Sequence, residues 1–121
     1  MSDTAALLHA NLFEVFNEPD EQRRAGAIDR TYAADVEWTD DEGVVTGREA
    51  LALKATALRG TLTGLEFTTA GPAHELAGFG YLAWNLAPPG GEAVVSGFDV
   101  VLARDGLISA LYTVVTTTPQ G

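Results

Sequence analysis

Apolar and polar positions follow two different periods along this chain, and the change of period divides it. Near the start, Leu8, Leu12, Val15 and Phe16 recur at helical spacing and predict a helix over residues 3–17, with Ser2 or Asp3 placed to cap it. Asn17-Glu18-Pro19-Asp20 interrupts that pattern, and Pro19 suits the first position of a new helix. This second helix is predicted over 20–33, with Ala25, Ile28 and Tyr32 on one face and Arg23, Arg24, Asp29 and Arg30 toward water. From Asp35 to Asp40 the period becomes two. Val36, Trp38 and Asp40 share one face of a strand, and Glu37 and Thr39 the other. The turn Asp41-Glu42-Gly43 leads into Val44-Val45-Thr46, which makes a short hairpin. A third helix is expected from Arg48 to Arg59, opened by Gly47, built from good helix formers and ended by Gly60.

The remainder reads as strands: Leu65–Ala70, His74–Leu86, Glu92–Ala103 and Leu107–Thr118. Gly71-Pro72, Pro88-Pro89-Gly90-Gly91 and Arg104-Asp105-Gly106 separate them, and the tail 119–121 is expected to be loose. Helices gathered in the first half and strands in the second predict an α+β fold, with three N-terminal helices packed on one face of a mainly antiparallel sheet. A sheet that curves around those helices leaves a cavity suited to a small ligand.

One residue breaks the pattern. In Val94–Ala103, Asp99 shares a face with Val95, Gly97, Val101 and Ala103, and the other face carries Val94, Ser96, Phe98, Val100 and Leu102. Both faces are largely apolar, so the strand is expected to be covered on both sides. Asp99 has no basic neighbour on its own face. Burial without a partner disfavours the charged form and should raise its pKa. The functional reading is part of a site. The plainer one is a structural carboxylate paired with an Arg or a Tyr hydroxyl elsewhere in the chain, or a wet strand edge.

Composition narrows the possibilities. The 121 residues fit a single domain over 1–121, and hydrophobic content is 46%. Seven basic residues face seventeen acidic ones, a net charge of −10, which speaks against nucleic acid or an anionic membrane surface as partner. There is no cysteine, hence no thiolate ligand or nucleophile. His9 and His74 are too far apart in sequence for a spaced metal motif, so neither metal nor cofactor is assigned. Asp3, His9 and Asn11 stand where a targeting segment would need a basic start and an apolar run, so a cytoplasmic protein is the expectation.

Two stretches carry a family resemblance: Tyr32-Ala33-Ala34-Asp35-Val36-Glu37-Trp38 with Gly43-Val44-Val45-Thr46-Gly47-Arg48-Glu49-Ala50-Leu51, and Gly97-Phe98-Asp99-Val100-Val101 with Asp105-Gly106-Leu107-Ile108. In this order and spacing the chain resembles the nuclear transport factor 2 superfamily, and within it the SnoaL-like polyketide cyclases and ketosteroid isomerases. The resemblance implies a cone-like, cystatin-type α+β barrel: a curved sheet wrapped around helices over an apolar pocket, commonly in a homodimer. It places Asp40 where ketosteroid isomerases keep a proton-shuttling aspartate. It places Asp99 where they keep a neutral, hydrogen-bonding aspartic acid. Their helix-1 tyrosine has no counterpart, since Leu12 and Phe13 stand there. Limonene epoxide hydrolases share Asp99, but Gly97 replaces their arginine, and Leu111, Tyr112 and Thr113 stand where their second aspartate lies.

The implied function is acid–base chemistry without a cofactor on a small hydrophobic carbonyl compound, by isomerisation or aldol-type cyclisation. Asp40 is the candidate base and Asp99 the candidate acid. Phe13, Tyr32, Trp38, Phe67, Leu82, Trp84 and Tyr112 are the candidate substrate-binding walls. Aspartate is also common in a solvated turn such as Asp40-Asp41-Glu42-Gly43. The alternative of another class is a domain of the same fold that binds a hydrophobic ligand or a partner without turnover.

Overall fold

The computed structural model describes residues 4–118, so the expected cap at Ser2 or Asp3 and the tail 119–121 lie outside the described residues. Helix α1 (Thr4–His9) continues without a break as a π-helical segment (Ala10–Phe16), whose wider winding ends with Asn17 N–H donating to the Leu12 carbonyl at 3.0 Å. Leu8, Asn11, Leu12, Val15 and Phe16 form its buried stripe. That is the expected apolar face with one amide inserted in it.

Helix α2 spans Glu21–Thr31, and its cap is Asp20, whose carboxylate accepts from the N–H groups of Gln22 at 2.8 Å and Arg23 at 3.1 Å. Pro19 therefore precedes the cap and does not open the helix, because Asp20 satisfies the free N–H groups there. The buried face is Arg24, Ala27, Ile28 and Thr31. Ala25 is exposed, and Arg24, expected toward water, is buried. Its guanidinium donates to the Glu18 carbonyl and the Thr56 hydroxyl, and these partners make the burial tolerable. Helix α3 (Arg48–Thr61) runs through Gly60, and the chain turns at Gly64, where φ is +83°. Beyond the helix, Arg59 donates to the carbonyls of Phe16, Leu62 and Leu65 and ties the turn down.

Among the described residues seven strands form one sheet: β1 (Tyr32–Asp40), β2 (Gly43–Thr46), β3 (Glu66–Thr69), β4 (His74–Leu76), β5 (Phe79–Ala87), β6 (Val95–Arg104) and β7 (Leu107–Thr117). Their order is β2-β1-β7-β6-β5-β3, with β4 also on β5. Among these strands only β1 and β7 pair in parallel. The sheet is curved and not closed. The expected single run over 74–86 is two strands, because Gly78 (φ +71°) reverses the chain between them.

Helices cover one face of the sheet. Gly80, Leu82, Trp84 and Leu86 of β5 and Gly97, Asp99 and Val101 of β6 point under them. A β-carbon at Gly80 would lie 2.7 Å from both Leu8 Cδ1 and Thr4 Cγ2, so α1 rests directly on β5. The opposite face is not covered as expected: Phe98 and Val100 are half-buried, and Leu102, Tyr112 and Val114 are exposed.

A bulge fixes which residues of β7 face inward. Leu102 pairs with Ala110 and Ala103 with Ile108, which leaves Ser109 as an extra residue. The alternation changes phase there. Ile108 and Leu111 are both fully buried, Thr113 follows Leu111 inward, and Tyr112 turns out.

Candidate functional site

Asp99 sits in the middle of a cross-strand row with Leu82 on β5 and Thr113 on β7. Opposite residues of neighbouring strands share a face, so the Thr113 hydroxyl stands beside the carboxylate. Three neutral donors reach Asp99. Oδ1 accepts from Thr113 Oγ1 at 3.0 Å and Trp84 Nε1 at 3.2 Å, and Oδ2 accepts from Asn11 Nδ2 at 2.9 Å. The donors are oriented from behind. Trp38 Nε1 donates to Thr113 Oγ1 at 3.1 Å, and the Tyr32 hydroxyl donates to Asn11 Oδ1. Among the described residues no cation pairs with Asp99.

Asp99 is 4% exposed, and burial pushes its pKa up from 3.8 to about 6 against the opposing pull of the hydrogen bonds from Trp84, Thr113 and Asn11. Burial first, and then the nearby Asp99 charge, holds the Tyr32 hydroxyl well above its ordinary range, so it is a neutral donor. A carboxylate offers about four acceptor positions. Two donors occupy Oδ1 and one occupies Oδ2, so the position left for a proton is on Oδ2.

Asp99 lines a cavity of about 280 Å³ whose walls include Leu12, Phe16, Trp38, Phe67 and Trp84. Exposed Asp41, Glu42 and Val115 stand at its mouth, together with Asp40. The walls interlock edge to face: Phe16 meets Trp38, and Phe67 meets Trp84, each with centroids 5.1 Å apart. Asp40 lies at the end of β1 with both oxygens engaged. Oδ2 is 2.7 Å from Lys54 Nζ, and Oδ1 accepts from the Glu42 N–H at 2.9 Å. Lys54 also lies 3.5 Å from Glu42 and 4.8 Å above the Trp38 ring. Among the described residues no three His, Asp or Glu side chains converge as a metal site would need.

Of the residues expected at the site, Asp40, Asp99, Trp38, Phe67 and Trp84 line this one cavity. The other four do not. Leu82 is buried in the core beside Asp99. Tyr32 is wholly buried and, among the described residues, reaches the site through Asn11. Phe13 is 40% exposed and stacks on His9 with centroids 6.1 Å apart. Tyr112 is 40% exposed and lines not this cavity but an adjoining groove, which shares Asp40, Asp41, Thr113 and Val115 with it. Asn11, Thr113 and Lys54 were not singled out from the sequence. Asn11 alone left a signal there, as the one amide on the apolar stripe of the first helix.

The elements and the site together define a curved-sheet α+β protein with a buried acid facing a cavity. Solved structures of the same build exist. A proposed isomerase of the SnoaL-like family from Agrobacterium tumefaciens is 25% identical, with 92% of this chain and 95% of that chain covered and a TM-score of 0.85. A proposed ketosteroid isomerase from Kribbella flavida is 19% identical over 98% of this chain and 81% of that one, with a TM-score of 0.70. A proposed SnoaL-like polyketide cyclase from a Jannaschia species is 14% identical over 95% and 89%, with a TM-score of 0.72. No family model matches the sequence, and no curated protein matches it. The chain has the nuclear transport factor 2-like fold, and its likeness runs to the structures named SnoaL-like and ketosteroid isomerase.

Proposed function

We propose that this protein is an acid–base catalyst that works with side chains alone on a small hydrophobic carbonyl compound, isomerising it or closing a ring by aldol-type attack. The observation that carries this reading is a carboxyl group on the inner face of the sheet, surrounded by neutral donors, facing an aromatic-walled cavity with a second carboxylate at its mouth. In the proposed step Asp40 takes a proton from the carbon next to the carbonyl, and the bonding pair moves onto the carbonyl oxygen. Asp99 donates a hydrogen bond from Oδ2 to that oxygen. The proton then returns to a different carbon, or the enolate attacks a second carbonyl. A pKa of about 6 keeps part of Asp99 protonated near neutral pH, where an ordinary aspartate is fully ionised. About 280 Å³ is at the small end of ligand pockets, which favours a compact substrate.

Deuterium exchange tests this without knowledge of the substrate. A bicyclic ketone such as 2-tetralone is incubated in D₂O, and loss of its α-proton signals is followed by NMR. The reading requires wild-type exchange well above buffer and its collapse in Asp40→Asn. Exchange at the buffer rate would sink it.

One observation favours the second reading, a binding domain without turnover: the candidate base is already engaged by Lys54 at 2.7 Å. Ketone binding without exchange would support that alternative. In either case we propose a homodimer formed through the outer face of the sheet, where Leu102, Tyr112 and Val114 are exposed.

A further inference from the structure

The mechanism above leaves Tyr32 without a use, although its hydroxyl lies wholly inside the protein and has, among the described residues, one hydrogen-bond partner, Asn11 Oδ1. Asn11 has two functional ends. Its oxygen accepts from Tyr32, and its nitrogen donates to Asp99 Oδ2 at 2.9 Å. A side-chain amide can turn over and exchange those ends. With Asp99 ionised, a turned amide would aim its oxygen at a carboxylate oxygen. With Asp99 protonated on Oδ2 the turned amide becomes attractive, because its oxygen would accept the new O–H. The acid would then spend its proton on Asn11, and none would point at the cavity. Turning would also present the amide nitrogen to the Tyr32 oxygen and strip the phenol hydrogen of its acceptor. A buried donor without an acceptor is costly.

We infer that Tyr32 is a positioning residue: by holding Asn11 Oδ1 it keeps the Asn11 nitrogen on Asp99 and so directs the Asp99 proton into the cavity. This rests on the proposed role of Asp99 as the acid, but it concerns where the proton points and not whether turnover occurs. The groups facing Asp99 are Asn11 from the N-terminal helix, Trp84 from β5, Thr113 from β7 and, behind Asn11, Tyr32 from β1. Tyr32 is the titratable one among them. The charged groups of the same cavity, Asp40, Asp41 and Glu42, stand at its mouth, with Lys54 on Asp40.

The test is a cycle of variants read by the ¹³C NMR titration of the Asp99 carboxyl, which needs no substrate. Tyr32→Phe frees the amide to turn toward the protonated acid, so proton affinity at Asp99 should rise by about tenfold, one pH unit of midpoint. Asn11→Leu removes the donor and should raise it too. Tyr32→Phe added to Asn11→Leu should shift it no further, because Tyr32 acts only through Asn11. An unshifted midpoint in Tyr32→Phe, or an equal shift in the Asn11→Leu background, overturns the inference. In the ketone assay Tyr32→Phe should lower kcat with KM nearly unchanged. If Tyr32→Phe does not fold, the unaltered protein still decides: the Asn11 side-chain amide signals must track the Asp99 titration, and signals indifferent to it overturn the inference.

Discussion

Trp84 and Gly97 face each other directly across β5 and β6, and the indole of Trp84 fills the space where a side chain at 97 would stand. A β-carbon at Gly97 would lie 2.7 and 2.8 Å from two ring carbons of Trp84 and would collide with the Val114 carbonyl oxygen. The glycine is what lets Trp84 lie flat enough to aim Nε1 at Asp99, two residues further along β6.

Gly97→Ala should therefore destabilise the protein by about 1–3 kcal/mol, the range for overpacked interiors. It should also move Trp84 off Asp99. Urea unfolding reads the first effect, and an altered tryptophan emission spectrum the second. A variant as stable as the parent, with the same spectrum, would contradict the packing described.

Asp99 should make stability depend on pH in an unusual direction for a carboxyl group. Its folded pKa of about 6 lies above the ordinary 3.8, so the folded protein holds this proton more tightly than the unfolded chain does. Its contribution is full below pH 4 and is lost as pH rises through 6. The difference amounts to about 3 kcal/mol, taking 1.36 kcal/mol per pKa unit. Asp99→Asn removes this dependence. The stability of the variant relative to wild type should thus improve by about that much from pH 4 to pH 7, measured by urea unfolding at both values. An unchanged difference would mean that Asp99 titrates normally.

The two carboxylates should respond differently to the same change. Asn at position 99 keeps a neutral donor, so exchange should fall by only about tenfold, whereas Asp40→Asn should cost about 100-fold or more, the usual weight of a general base. Equal losses in the two variants would reverse or merge the assigned roles.

Lys54 bonds Asp40 and lies over Trp38, with only 21% of its side chain exposed. Lys54→Met should cost about 1–2 kcal/mol, more than an open surface pair and less than a fully buried one. It should also loosen the acidic turn at the cavity mouth. Faster hydrogen exchange at Asp41, Glu42 and Gly43 checks this, and unchanged rates would show that the pair does not hold the turn.

The sequence made Asp99 conspicuous because a lone carboxylate in an apolar strand has few reasons to be there. Trp38 was legible for a similar reason, since a period of two over Val36, Trp38 and Asp40 leaves little doubt which way they point. Tyr112 illustrates what alternation cannot foresee. An unbroken period from the buried Ile108 would carry Tyr112 inward, and the bulge at Ser109 hands the place to Thr113. Asn11 and Lys54 were hidden for another reason. Asn11 lies 88 residues from Asp99 in the chain, and Lys54 meets Asp40 across a helix–strand contact that no local pattern encodes. Arg24 was misread because a charged side chain is normally sent to water, and the carbonyl and hydroxyl that let it stay inside come from Glu18 and the distant Thr56.

The most direct measurement is the titration of the Asp99 carboxyl carbon in the wild-type protein, first alone and then with a hydrophobic ketone in the cavity. The prediction is a midpoint near 6 that moves higher when the ketone fills the cavity and buries the carboxyl more deeply. A midpoint near 4 that ignores the ketone would mean that the group is an ordinary carboxylate in contact with water, and the proposed chemistry would lose its acid.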